Sequence, residues 1–220
     1  MNKQSGFTLI ELAIVLVIIG LLLGGVLRGQ ELINSAKVKN MARDFQNVQV
    51  YIYGYQDKYK ALPGDDAAAA AHLTSSGVTV LQSTTNQGNG LIGGSWDSGT
   101  NGTAPTEESG IFWQHVRLAG LAPGATSGTD SNYYPTNADG GRLGVQSVSG
   151  ATNIPTGLSG AYVICSAGIL GKFAKQLDTT LDDSNTATGS MRIYAAATPS
   201  AWVATASALD ASVFNVCMAF

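Results

Sequence analysis

Residues 7–27 read FTLIELAIVLVIIGLLLGGVL, and no other stretch narrows the possible folds of this chain as much. The run is apolar apart from a single ionisable residue, Glu11. As a helix, at about 1.5 Å per residue, it covers roughly 30 Å, the thickness of a bilayer hydrocarbon core. A secretory signal peptide is the alternative, with Lys3 as its basic n-region. The run is longer than a usual h-region, and Gly24-Gly25-Val26-Leu27-Arg28 follows where an A-x-A-like cleavage site belongs. An uncleaved apolar helix is therefore predicted. Glu11 stands out within it. An ionisable group in an apolar span costs several kcal/mol and marks function by default, unless it snorkels to nearby headgroups.

The amphipathic pattern continues beyond the run. Val38, Met41, Phe45, Val48, Ile52, Tyr55, Tyr59 and Leu62 alternate at spacings of three and four, which predicts one long helix to about Tyr59, stopped by Pro63-Gly64. Tyr51, Tyr53, Tyr55 and Tyr59 are read as packing residues rather than an electron path. Charge is segregated along the chain. Arg28, Lys37, Lys39, Arg43, Lys58 and Lys60 outnumber Glu31, Asp44 and Asp57, whereas the part from Ala61 onward has five basic and eleven acidic residues. So acidic a body argues against nucleic acid as a partner, because phosphate binding needs clustered Lys and Arg.

Gly6-Phe7-Thr8-Leu9-Ile10-Glu11 at the mouth of the apolar run resembles the signature of type IV prepilins and of type II secretion pseudopilins. The resemblance implies a leader, residues 1–6, cut after Gly6 by a membrane peptidase. Phe7 would then be N-methylated, and Glu11 would neutralise the Phe7 amine of a neighbouring subunit in a filament. It further implies an apolar membrane-spanning helix at 7–27, an amphipathic half at 28–62 and a globular head at 63–220. Inner-membrane insertion would place the head in the periplasm, before assembly into a pseudopilus or an extracellular pilus. A carboxylate at position 11 fits a mid-filament subunit. The charges flanking the span run mildly against this orientation, and no Pro precedes Pro63.

The body reads as α+β. Strand character recurs at 142–148, 161–165, 191–196 and 213–219, with a short strand at 78–81. Helices are predicted over 106–121 and over a segment containing Ile169, Leu170, Phe173, Leu177 and Leu181. Cys165 and Cys217 would be free thiols in a cytosolic protein; in an exported one the even count points to one disulfide. Phe112-Trp113 reads as core, and His115 has no Cys or His companions that would make a metal or catalytic site. Leu62-Pro63-Gly64-Asp65, Gly88-Asn89-Gly90-Leu91-Ile92, Trp113-Gln114-His115-Val116 and Lys175-Gln176-Leu177-Asp178 are similar to a proteobacterial group of prepilin-type proteins.

Calcium is the one cofactor to weigh. Asp178, Asp182, Asp183 and Asn185 crowd together as oxygen donors, with Asp65, Asp66, Asn86 and Asn89 as a second set, although turns favour the same residue types. No nucleophile elbow, P-loop, dinucleotide fingerprint or zinc spacing occurs, so the chain is not read as an enzyme. The expected function is a structural subunit of a pilus-like filament or pseudopilus, and a substrate of the leader peptidase and methylase. Its alternatives are a minor pilin that binds DNA, a surface or a secreted protein, and a membrane-anchored periplasmic protein that never polymerises.

Overall fold

A computed structural model describes residues 8–74, 77–196, 199 and 201–220. It is α+β: a long N-terminal helix, three shorter helices and a four-stranded antiparallel sheet. The chain divides into two compact units, Met1–Lys37 and Val38–Phe220.

Helix α1 spans Leu9–Tyr59 and contributes to both units. Within the first unit its apolar side chains are bare, with Leu9 89% exposed and Leu16, Leu21 and Leu22 also open. Beyond Lys37 the face changes character. Val38, Met41, Ala42, Phe45, Val48, Ile52 and Tyr55 are all buried, as the three-and-four spacing predicts. The helix ends before Pro63-Gly64. Lys60 adopts a left-handed φ of 56° while its N–H still bonds the Gln56 carbonyl at 2.9 Å. A non-glycine residue thus makes the turn that glycine usually makes at a helix exit.

Strands β1 (Leu143–Ser147), β2 (Tyr162–Leu170), β3 (Met191–Ala195) and β4 (Val213–Ala219) lie in the order β1-β2-β4-β3. Both faces of the sheet are covered. Val145, Ile164, Ile193 and Val216 join the α1 stripe and Phe112, Phe173 and Leu177 in one cluster. Val163, Cys165, Tyr194, Cys217 and Ala219 pack with Trp96, Ile154 and Leu158 in another. Two-sided burial explains why β1 and most of β2 are buried residue after residue instead of alternately. Gly144 belongs to this arrangement, since a Cβ there would lie 2.0 Å from the Trp96 carbonyl oxygen.

Two local expectations give way. Residues 78–81 form no strand. Their backbone groups are bonded by α3 (Glu108–Leu118) instead: Leu81 N–H donates to Gln114 Oε1, Gln114 Nε2 donates to the Thr79 carbonyl, and His115 Nε2 donates to the Leu81 carbonyl. Ile169 and Leu170 belong to β2, paired with Phe214 and Val213 across a register shift after Ser166, and α4 (Gly171–Leu181) begins only afterwards. Their helical spacing was compatible with either element, and pairing with β4 decided it. The one-turn α2, Ala69–His72, had no periodic signal long enough to read.

Cys165 and Cys217 face each other in the β2–β4 register and are joined by a disulfide with Cα atoms 4.1 Å apart. The bridge closes a loop with a sequence separation of 52. Chain entropy makes such a closure worth about 4 kcal/mol. The Cys165→Ala, Cys217→Ala double variant should therefore lose about 3–4 kcal/mol in denaturant unfolding of the oxidised protein. A loss below about 1 kcal/mol would show that sheet pairing alone holds these strands.

Candidate functional site

Three places in the sequence carry candidate chemistry, and the structure treats them differently. The first is the helix entrance. Thr8 N–H and Oγ1 both donate to Glu11 Oε2 at 2.8 Å, and Glu11 N–H approaches Thr8 Oγ1 at 3.4 Å. This reciprocal pattern is a capping box, and Thr8-x-x-Glu11 is its sequence signature. The sequence reading missed this role. In the single chain Glu11 is exposed and holds the first turn of α1. Gly6 and Phe7 lie outside the described residues.

The second place is the Leu62-Pro63-Gly64-Asp65 stretch and its companions. Asp65 accepts the Asn89 and Gly90 N–H groups at 3.1 and 2.8 Å. The Asp66 carboxylate accepts Tyr55 Oη at 2.8 Å and the Ala68 N–H at 2.9 Å, and meets His72 Nδ1 at 2.7 Å. Burial acts to raise the Asp66 pKa, but these hydrogen bonds outweigh it and hold the group below the ordinary Asp value. His115 accepts the Gly64 N–H at Nδ1 and donates from Nε2 to Leu81, a pairing that fits the neutral ring. Burial lowers its pKa in the same sense. Gly64, at φ 94°, passes so close to α3 that a Cβ would sit 2.4 Å from the Glu108 carbonyl oxygen. These residues fasten the loop after α1 to α1 and α3. The side-chain oxygens of Asp65, Asp66 and Asn89 already have protein partners, and these residues act as a structural clasp.

The third place is different. Asp178, in the last turn of α4, is fully buried (0% exposed), and neither carboxylate oxygen has a hydrogen-bond partner. Asp178, Asp182 and Asp183 each place an oxygen within 4.8 Å of the others. That span is about twice a Ca–O bond of roughly 2.4 Å. Asp182 also accepts the Met191 N–H at 2.7 Å, and Asp183 accepts the Asn185 N–H and Thr188 Oγ1. The side-chain oxygen of Asn185 accepts the Ala187 N–H at 3.3 Å. Burial, then the charges of Asp183 and Asp182, push the Asp178 pKa up to about 6. Among the described residues no Lys, Arg or His side chain pairs with Asp178.

Residues 1–27 match the family model of the prokaryotic N-terminal methylation motif. The chain thus carries the signature of type IV pilins and pseudopilins, a structural, non-enzymatic class. No curated protein and no solved structure matches it.

Asp178 makes stability depend on pH. Its folded-state value lies above the 3.8 of an ordinary Asp, so the native state holds the proton more tightly. The contribution is full below about pH 4 and is lost as pH rises toward 6. In the presence of a chelator, Asp178→Asn should therefore unfold a few degrees above wild type at pH 7.5, on the order of 1 kcal/mol, with the gap closing by pH 4. Equal melting temperatures across that range would contradict the account of Asp178 as an uncompensated acid.

Proposed function

We propose that the chain is a structural subunit of a type IV pilus-like filament or type II secretion pseudopilus, and not an enzyme. The observation that carries this reading is the methylation motif lying on an apolar helix that its own chain leaves bare. The helix is long and apolar enough to cross a membrane, and its apolar stretch is exposed along its length. Such a surface needs lipid, or the same helix of other subunits, to cover it. In this reading residues 1–6 are the leader, 7–27 the membrane and filament-core helix, 28–62 its amphipathic continuation and 63–220 the head. The leader peptidase cuts between Gly6 and Phe7 in the inner membrane, the methylase modifies Phe7, and the head stands in the periplasm until assembly.

The role of Glu11 follows from charge. In the single chain its carboxylate caps the helix. In a filament it would also meet the Phe7 ammonium of a neighbour, two charges that neutralise each other where neither is tolerable alone. The two roles separate chemically. Gln can complete a capping box but carries no charge. Glu11→Ala and Glu11→Gln should both insert in the membrane, and both should enter sheared filaments at least about tenfold less often than co-expressed wild type. Breaking one member of a buried pair typically costs about 3–5 kcal/mol. Mass spectrometry of the wild-type filaments should show a mature N-terminus at methylated Phe7. Efficient incorporation of the Gln variant would reduce Glu11 to a cap, and an intact Met1 in assembled protein would remove the subunit reading.

A second reading concerns calcium and rests on the unpartnered Asp178. A Ca²⁺ ion among Asp178, Asp182 and Asp183 would supply the charge that Asp178 lacks, and would tie the end of α4 to the start of β3 through Asp182. Millimolar Ca²⁺ should raise the melting temperature of wild type in a concentration-dependent way. Asp178→Asn should abolish that rise. No shift in wild type up to about 10 mM Ca²⁺ would exclude all but the weakest class of site.

A further inference from the structure

From Lys39 onward α1 has a second face. Lys39, Arg43, Gln46, Val50, Tyr53 and Asp57 recur at spacings of four and three and are all exposed. Lys39 and Arg43 have no hydrogen-bonding or ionic partner among the described residues. Val50 and Tyr53 are 63% and 56% exposed, and the Tyr53 ring meets only the edge of the C-terminal Phe220 ring, centroids 6.1 Å apart. Two unpaired cations followed by two bare apolar side chains form an unpartnered surface along one helix face.

The head carries a surface of opposite sign. Asp97 and Glu107 are exposed, and Asp130 is half-buried, on loops that hydrogen bonds tie together. Ser95 N–H donates to Glu107 Oε2, Gly102 N–H to the Asp130 carbonyl, and Asn153 Nδ2 to Asp97 Oδ1. The groups that hydrogen-bond these carboxylates are amides, while Arg117 attracts Asp130 and Arg142 attracts Asp97 only through space. The Arg142 guanidinium stacks 3.6 Å from the Tyr134 ring centre and donates to the carbonyls of Asp97, Ser98 and Gly99, and that of Arg117 donates to the carbonyls of Pro123, Ala125 and Tyr133.

We propose that the outward face of α1 from Lys39 to Tyr53 docks on the acidic loop surface around Asp97, Glu107 and Asp130 of a second copy of this chain. The cations would meet the carboxylates, and Val50 and Tyr53 would be covered beside them. The inference rests on the subunit reading above and gives it a contact between heads. Because two different patches meet, the contact is heterologous, the kind that builds an open filament wherever its rotation does not close a ring. Opposite charge steers the encounter and sets the register, and makes the contact sensitive to salt.

The test is zero-length carbodiimide coupling, which joins a lysine amine to a carboxylate only where they touch. Unlabelled and ¹⁵N-labelled full-length protein would be reconstituted together in phosphatidylcholine vesicles, coupled and digested. The expected product joins the Lys39 peptide of one isotope to an Asp97, Glu107 or Asp130 peptide of the other. Its yield should fall roughly fivefold in 0.5 M NaCl, as screening requires. Lys39→Glu with Arg43→Glu should lower filament incorporation about tenfold while leaving the melting temperature unchanged, since both residues are exposed. Coupling of Lys39 only within its own chain, to another face, or not at all would overturn the contact. Filaments built equally well by the double variant would overturn it while leaving the subunit reading intact. Isotope-mixed products from a protein that forms no filament in cells would do the reverse.

Discussion

Burial of both faces of the sheet is the constraint on which the rest of the head depends. A four-stranded sheet with one face in water could alternate polar and apolar residues. Here the α1 stripe from Val38 to Ile52, with α3 and α4, covers one face, and a layer around Trp96, Ile154 and Leu158 covers the other. The disulfide lies in the second layer, in the β2–β4 register at the middle of the sheet. It joins two adjacent central strands across the stretch that carries α4 and β3.

Covering a sheet with irregular loops buries backbone groups that no ladder satisfies, and the polar side chains of the head answer that need. Gln146 leaves β1 to accept the Trp96 N–H at 2.6 Å, and Ser147 accepts the Ile92 N–H at 2.8 Å. Gln114 and His115 take up the backbone of 79–81, and Arg117 donates to the carbonyls of Pro123, Ala125 and Tyr133. Residues that look like chemistry in a sequence, such as a buried His, Gln or Arg on one helix, are here the fastenings of loops. Asp65 and Asp66 belong with them.

Asp178 is the contrast that makes this economy informative. Several buried side chains of the head leave one polar atom unbonded, but Asp178 is a fully buried carboxylate with both oxygens unpartnered among the described residues and two further carboxylates beside it. In the apolar helix of the first unit, Glu11 has a partner in Thr8. One carboxylate lacks a partner that its own chain does not provide. The other has a local partner and, in the proposed filament, would take a second from outside.

The apolar run, the motif at its mouth, the α1 stripe and the α+β class were legible in the sequence because each rests on periodicity or on neighbours in the chain. The capping box was legible too, as Thr8-x-x-Glu11, had the spacing been read for its local bond. Other features had no local signature. Whether Ile169 and Leu170 continue a strand or open a helix depends on β4, more than 40 residues away. Residues 78–81 lost their strand because α3 side chains reached their backbone first. The Asp, Asn and Gly clusters at 65–89 and 178–185 looked alike, since turns and cation sites favour the same residues. Only the fold separates them: Asp65 is bonded by Asn89 and Gly90 and Asp66 by Tyr55, His72 and the nearby Ala68, whereas the oxygens of Asp178 have no partner among the described residues.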